Sequence, residues 1–201
     1  MKTPDNSPAL RALSRDGPLR SRDLEALGLS RERIRQLTKQ GVIQRVARGL
    51  YSLPGSEQTE HSGLIEICKT VPHGVICLLS ALRFHEIGTQ SPTEIWLAID
   101  RKAWLPTAKD IPVRIVRFSS DILKAGAEKH RLEKGLVRVT SPAKTVADCF
   151  KYRNKIGLDV ALEALREGWR EKRFSMDEIW RFAKVCRVAK VMRPYMEALI
   201  C

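Results

Sequence analysis

The chain has 201 residues, of which 43% are hydrophobic and 29% charged, a composition typical of a globular protein that can bury a core. Its 36 Lys and Arg residues outnumber 23 Asp and Glu residues, and the net charge of +13 favours a polyanionic partner, either nucleic acid or an anionic membrane surface. No apolar run approaches the roughly 20 residues that span a bilayer, and residues 1–10 offer no secretory signal, so we expect a cytoplasmic protein that does not engage a membrane.

The five cysteines are odd in number and widely spread, and the four histidines do not sit near them at ligand spacing. They form no C-x-x-C pair, which argues against both a disulfide framework and a zinc site. We therefore expect reduced, mostly buried thiols, and no metal or other cofactor. The cysteines are Cys68, Cys77, Cys149, Cys186 and Cys201.

Basic residues are concentrated at the start of the chain, where short helical patterns come first. Residues 1–55 hold 11 Lys and Arg against 5 Asp and Glu, a net charge of +6. A first helix is predicted over residues 8–15, and a second begins at Ser21 as N-cap and closes at Gly28. Ser30 then offers another N-cap for a third helix over residues 31–40. Two helices joined by a tight turn that contains Gly are typical of a helix-turn-helix.

The third helix has an apolar face and a basic face. Ile34 and Leu37 lie three residues apart and are expected to face the core. Arg and Gln side chains suit the edges of guanine and adenine, and basic side chains near a helix N-terminus suit phosphate. The polar side chains opposite the core are Arg33, Gln36 and Gln40, and those on the flanks are Arg31, Arg35 and Lys39.

Two β-prone runs follow, residues 42–46 and 50–53, with Gly49 at the turn between them. A basic hairpin directly after a recognition helix is a wing. Arg45 and Arg48 would then contact the phosphate backbone or reach into the adjacent minor groove. The sequence therefore predicts a winged helix-turn-helix domain over residues 1–55.

Residues 56–201 mix helical and strand patterns after a polar linker at residues 56–60. We predict a C-terminal α+β domain with a helical tail, so that the whole chain is of the α+β class. Strands are expected at residues 93–100, 112–118 and 136–139, the first two half-buried. Helices are expected at residues 61–70 and 80–85, after Pro142, and at residues 158–169, 176–186 and 191–200. The four tryptophans are expected to be core or interface residues.

Several short motifs resemble the AbiEi family of antitoxins. The resemblance begins with R-G-L-Y-S-L-P-G at residues 48–55 and continues with a helix ending in F-H-E-I-G at residues 84–88. A strand, T-E-I-W-L-A-I at residues 93–99, and a P-x-K-T-x-x-D element at residues 142–148 extend it over most of the chain. The family's His corresponds to His85, which Glu86 follows where family members often have Gly.

The resemblance implies the antitoxin half of a bacterial type IV toxin–antitoxin, or abortive-infection, pair. Such proteins use the winged helix to bind inverted repeats in their own promoter and repress it. Their toxin is a nucleotidyltransferase-like protein, which the antitoxin is not generally held to neutralise by forming a tight complex. The partners implied are thus double-stranded DNA and, functionally, that toxin.

Two further patterns leave alternatives open. Glu94 with Asp100 and Lys102 is reminiscent of metal-dependent nucleases, although a D-x-K motif arises easily by chance. A basic C-terminal segment suggests a second DNA surface, or simply a solvated helix face. Its basic residues at three-residue steps are Arg181, Lys184, Arg187 and Lys190.

Three hypotheses therefore remain. The first is a sequence-specific repressor that acts as an antitoxin and is not an enzyme. The second is an interaction module whose C-terminal part binds a protein such as the toxin. The third is a DNA-acting enzyme that uses the Asp100 region.

Overall fold

The computed structural model of the protein describes residues 7–55, 60–105, 111–132 and 134–199. The chain forms two compact units, the first of residues 1–73, 105–112 and 130–137, and the second of the remaining residues. Most of the predicted linker, residues 56–59, lies outside the described residues. The domain boundary at residue 55 stays a prediction, and the first unit continues beyond it to His73.

The first unit is a small helical domain with a three-stranded sheet of order β1-β3-β2. Its core consists of apolar side chains from the three first helices and the chain that follows them, among them Leu13, Leu24 and Leu37. The elements are α1 Pro8–Asp16, β1 Leu19–Arg20, α2 Ser21–Ala26, α3 Arg31–Lys39, β2 Gln44–Ala47, β3 Leu50–Ser52 and α4 Ser62–Thr70.

The second unit carries most of a five-stranded sheet of order β6-β5-β4-β8-β7. Strand β4 pairs antiparallel with β5 and parallel with β8, while β5 and β6 are parallel. The strands are β4 Val75–Ile76, β5 Ile95–Asp100, β6 Val113–Phe118, β7 Ala127–Leu132 and β8 Gly135–Thr140, and residues 130–137 of the last two belong to the first unit.

Helices account for most of the rest of this unit and form the predicted helical tail. Pro142 stands at the first turn of α7, where its missing N–H costs no hydrogen bond. Ser175 caps α10 through a reciprocal capping box with Glu178. The helices are α5 Leu78–Phe84, α6 Ser120–Lys124, α7 Pro142–Lys151, α8 Arg153–Ile156, α9 Leu158–Arg170, α10 Met176–Val185 and α11 Ala189–Glu197.

The predicted α+β class is confirmed, with differences in detail. Strand β5 is not half-buried, because four consecutive residues, Trp96 to Ile99, are buried and alternate between its two faces. Ser21 is not the N-cap of α2, since Arg20 occupies that position. Five short elements were not predicted: β1, β4, α6, β7 and α8.

The four cysteines within the described residues are free and buried, as expected. In the same part of the chain, His, Cys, Asp and Glu side chains form no cluster of three or more that could hold a metal ion. No helix of the described residues is both long and apolar enough to cross a membrane.

Candidate nucleic-acid interface

Helix α3 is built as the sequence predicts, with a capped start and one buried face. The Ser30 hydroxyl accepts a hydrogen bond from the Arg33 amide at 3.2 Å, which satisfies one free N–H of the first turn. Ile34 and Leu37 are buried in the core of the unit. Gln36 on the outer face is exposed, and its amide oxygen lies 3.5 Å from a guanidinium nitrogen of Arg33. Arg33 itself is half-buried and not fully on the outward face, so the prediction that it lies opposite the core is corrected: it stands at the edge of the buried face, next to the exposed Gln36.

The basic flanks of α3 are held by acidic neighbours. Arg31 donates to the Glu25 carboxylate at 2.8 Å, and Arg35 donates to Glu32 at 3.2 Å. Both arginines are exposed, and exposed ion pairs of this kind contribute only about 0–1 kcal/mol. A phosphate can therefore replace either carboxylate at small cost. Lys39 is also exposed, as is Gln40, which caps the helix instead of extending it.

The wing is the antiparallel hairpin of β2 and β3. Gly49 has φ of +71° at its turn, a conformation that glycine adopts without strain. The register shifts between Arg45 and Ala47, so β2 contains a bulge, and the Arg45 guanidinium donates to the Ala47 carbonyl at 3.3 Å. The side chains of Arg45 and Arg48 are both exposed on this hairpin.

The unpredicted strand β1 anchors the wing. Leu19 pairs with Tyr51 and Arg20 with Leu50 on the free edge of β3. Ser21 adds two contacts to the wing turn, because its amide and its hydroxyl donate to the Gly49 carbonyl at 2.9 and 3.3 Å. The wing is thus fixed to the start of α2.

A groove of about 780 Å³ lies among α2, α3 and the wing. Four of the predicted side chains line it together with Arg22 from α2, which sequence reasoning missed because α2 shows no basic face. The other four predicted side chains are not among its lining residues: Arg33, Gln36, Gln40 and Arg48. The cationic rim of the groove suits a phosphate backbone, which basic side chains hold in register without reading its sequence. Its basic lining residues are Arg22, Arg31, Arg35, Lys39 and Arg45.

Two basic side chains near this interface, those of Arg20 and Lys69, have a structural role. The Arg20 guanidinium donates to the carbonyls of Lys69 and Thr70 at the end of α4, the second at 2.6 Å. The Lys69 ammonium donates in turn to the carbonyls of Asp16, at 2.6 Å, and Pro18. Burial lowers the pKa of Lys69. The two side chains attach the helix-turn-helix to α4, and backbone carbonyl groups accept their hydrogen bonds.

The nuclease-like residues are not brought together. Glu94 precedes β5 and pairs with Arg114 at 2.9 Å, whereas Asp100 ends the strand, about 20 Å away at the usual rise per residue. The Asp100 carboxylate accepts hydrogen bonds from the Ser120 hydroxyl and from the Lys102 amide, which lower its pKa. Asp100 therefore holds a loop in place, and the geometry gives no support to a joint metal site.

Helix α7 carries an ion pair inside the second unit. Lys144 and Asp148 are both fully buried and joined by a hydrogen bond, with the Lys144 ammonium 4.9 Å from the centre of the Phe118 ring. The Cys186 thiol donates to the other Asp148 oxygen at 3.2 Å. Burial raises the pKa of Asp148, against the attraction of Lys144, and raises the pKa of Cys186 to about 12. The family-like P-x-K-T-x-x-D element is thus a structural cluster without access to solvent.

His85 and the C-terminal basic residues also have defined places. The His85 ring nitrogen Nε2 lies 2.7 Å from the Thr140 carbonyl oxygen, a contact that ties α5 to the end of β8. The four basic residues of the C-terminal segment lie on α10, the following turn and α11, and the Arg181 guanidinium stacks over the Phe182 ring at 4.7 Å. These residues are Arg181, Lys184, Arg187 and Lys190.

A family model described as "Transcriptional regulator, AbiEi antitoxin" matches residues 8–54. Residues 8–54 are similar to this family. The match runs from α1 to the end of the wing and contains each predicted DNA contact of the N-terminal domain. The description names a regulator of transcription, and the predicted resemblance is confirmed over this segment.

A solved structure resembles the chain over a longer range. The crystal structure of the RV2827C protein from Mycobacterium tuberculosis superimposes with a TM-score of 0.58 and 16% sequence identity. The alignment covers 89% of this chain and 70% of the other, so the likeness extends beyond the AbiEi segment and concerns the fold alone. The comparison with curated protein sequences gives no match.

Proposed function

We propose that the protein is a sequence-specific DNA-binding repressor that acts as the antitoxin of a type IV toxin–antitoxin pair and regulates its own operon. The observation that carries this proposal is the Ser30-capped helix α3, which buries Ile34 and Leu37, exposes Gln36 next to the half-buried Arg33, and shares a basic groove with the wing. The match of residues 8–54 to AbiEi regulators supports it.

In this proposal α3 enters the major groove and the wing lies over the backbone. Arg33 and Gln36 contact base edges, with Gln40 at the end of the same face, because Arg and Gln match the acceptor and donor patterns of guanine and adenine. The phosphate contacts come from the groove beside α3 and from the wing. They are Arg31, Arg35, Lys39, Arg45 and Arg48.

The C-terminal basic segment is a proposed second DNA surface. Reversal of the charges of Arg181, Lys184, Arg187 and Lys190 should lower the slope of the logarithm of DNA affinity against the logarithm of salt concentration, since each phosphate contact contributes to that slope. An unchanged slope in the charge-reversed protein would assign these residues to a solvated helix face.

The repressor is tested by footprinting on the DNA upstream of its own operon, where we expect protection of inverted repeats. The double variant Arg33→Ala/Gln36→Ala should lose the footprint. Arg170→Ala is the matched control for charge, because this exposed arginine stands on α9 of the second unit, and it should retain the footprint. A footprint that survives the double variant, or no footprint in the unchanged protein, contradicts the proposal.

The antitoxin role predicts a nucleotidyltransferase-like toxin encoded beside the protein, with both acting in the cytoplasm. Co-expression should restore growth to cells that make this toxin, without a stable complex between the two proteins. A stable complex isolated from such cells would favour the interaction module over this mechanism. Growth that is not restored would remove the antitoxin role and leave the DNA-binding role standing.

A further inference from the structure

Trp104 is an exposed aromatic side chain in the loop that follows β5. It is 93% exposed, whereas Trp96 in the preceding strand is 6% exposed and belongs to the core. A tryptophan ring carries a large apolar area with a flat π-face, on which another ring can stack. We call residues 100–104 the Trp104 loop.

One guanidinium group binds the backbone of the Trp104 loop. Nitrogen Nη1 of Arg117 on β6 lies within hydrogen-bonding distance of three carbonyl oxygens of the loop. The distances are 3.3 Å to Asp100, 2.8 Å to Arg101 and 2.9 Å to Ala103.

Further hydrogen bonds close the loop on itself. The Ala103 amide donates to the Asp100 carbonyl at 3.0 Å, and the Lys102 amide donates to the Asp100 carboxylate at 2.8 Å. Since Ser120 binds the other carboxylate oxygen, the backbone beneath Trp104 is fixed at several points. A pre-ordered aromatic side chain loses little entropy when a ligand stacks on it.

The surroundings of Trp104 hold several cations and one exposed apolar side chain, that of Leu105. Arg101 and Lys102 are exposed in the same loop, and Lys124 is close enough for its charge to help lower the pKa of Asp100. The loop's one acidic group accepts hydrogen bonds from the loop and from α6. An aromatic side chain with cations beside it is the arrangement of single-strand nucleic-acid sites, in which bases stack on the ring and the cations bind phosphates.

We propose that the Trp104 loop binds single-stranded nucleic acid, with the Trp104 ring stacked on an unpaired base and Arg101 and Lys102 bound to the flanking phosphates. Stacking needs a free base face, which a closed duplex does not offer, so this contact is separate from the proposed reading of duplex DNA by α3. The strand can come from DNA or RNA, because neither stacking nor phosphate contact requires a particular sugar.

The test measures binding of the full chain to a labelled oligo(dT) and a labelled oligo(U) by fluorescence anisotropy. Trp104→Ala should weaken both by about 5- to 100-fold, and Trp104→Phe should retain most of the affinity. Because neither change alters charge, the general attraction of a basic protein for any strand is held constant. Leu158→Ala, a truncation of another exposed apolar side chain of the same unit, should have no effect.

Two further measurements test the contacts of this site. Arg101→Ala/Lys102→Ala should reduce the salt slope by roughly 0.7 for each phosphate that the variant no longer neutralises, whereas Arg170→Ala, at an exposed arginine of α9, should leave it unchanged. Tryptophan fluorescence should be quenched by oligo(dT) in the unchanged protein and much less in Trp104→Phe. If only one of the two oligonucleotides responds to Trp104→Ala, that strand is the ligand.

The proposal is overturned if Trp104→Ala binds both oligonucleotides as tightly as the unchanged protein. It is also overturned if a blunt duplex quenches the Trp104 fluorescence as strongly as oligo(dT), since the base would then not be unpaired. A response of Trp104 to anionic phospholipid vesicles and not to either oligonucleotide would assign the loop to a membrane surface instead.

Discussion

Two regions of the chain, the α3 and wing surface of the first unit and the interior of α7 in the second, use charge in opposite ways. In the first unit Arg31 and Arg35 of α3 and the two arginines of the wing are exposed, and so are the ion pairs of Arg31 and Arg35. In the second unit Lys144 and Asp148 are enclosed with no solvent contact. An exposed cation keeps its attraction for an external anion, whereas a buried cation is committed to the partner inside. The difference separates charges available for binding from charges required for folding, and both sides of it can be tested.

The largest effect is expected at the buried pair. Lys144→Met leaves the Asp148 carboxylate buried without its cation, and we expect a loss of about 3–5 kcal/mol in the free energy of unfolding. Urea denaturation measures it, with Lys184→Met, an exposed lysine on α10, as the control that should change little. The double variant Lys144→Met/Asp148→Leu should be more stable than Lys144→Met alone. Equal stability of Lys144→Met and the control would show that the pair is not enclosed in solution.

The second effect concerns base reading. Arg33→Ala should weaken binding to the operator by about 1–3 kcal/mol and relax the preference at one base pair, with no comparable loss on random DNA. Titrations on the operator and on single-base variants measure both quantities. Equal weakening of binding to the operator and to random DNA would show that Arg33 contacts a phosphate and not a base edge.

A smaller and more uniform effect is expected at a flank of α3. Lys39→Ala should weaken every DNA sequence alike and lower the salt slope by about one unit, because the protein then neutralises one phosphate fewer. Affinity measured over a series of salt concentrations provides the slope. A sequence-dependent loss would instead place Lys39 at a base edge.

The smallest effect is a titration at the surface of the second unit. The hydrogen bonds from the Ser120 hydroxyl and the Lys102 amide lower the pKa of Asp100 below its ordinary value of about 3.9. The contribution of these hydrogen bonds to the order of the loop is therefore fully present above about pH 3.9. It is lost as the pH falls through the lowered value. Carboxyl NMR should report a midpoint below the ordinary one, and Ser120→Ala should move the midpoint up. An unshifted midpoint in the unchanged protein would contradict the hydrogen bonding described.

The features that the sequence predicts well are the ones built from near neighbours. The Ser30 cap, the buried pair Ile34 and Leu37 and the turn at Gly49 each depend on a few consecutive residues, and each is present. The same holds for Pro142 at the start of α7. Local signals of this kind set helix starts and turns whatever the rest of the chain does.

The features that the sequence misses depend on distant partners. Strand β1 is two residues long and exists because β3 offers it an edge, and the hydroxyl of Ser21 meets the wing turn instead of capping α2. Strand β7, with the sequence A-E-K-H-R-L, shows little apolar alternation. Nothing in the spacing of Lys144 and Asp148 distinguishes a buried pair from an ordinary surface pair four residues apart. Trp104, which was expected to lie in a core or an interface, is exposed and so is not a core residue.

The contacts of Arg20 and Lys69 bear on how this DNA-binding module could be inherited or transplanted. Lys69 comes from α4, beyond the segment that matches AbiEi regulators, and its ammonium also reaches the Lys134 carbonyl at 3.4 Å, far along the chain. Gly17 lies so close to Lys134 that a Cβ at Gly17 would come within 2.8 Å of that carbonyl oxygen. A gene fragment that ended at the wing would lack α4. The Arg20 guanidinium would then lose its acceptor carbonyls, and the carbonyls of Asp16 and Pro18 would lose the Lys69 ammonium. Recombination that moved residues 8–54 alone onto another protein would therefore have to supply a new surface at the same place.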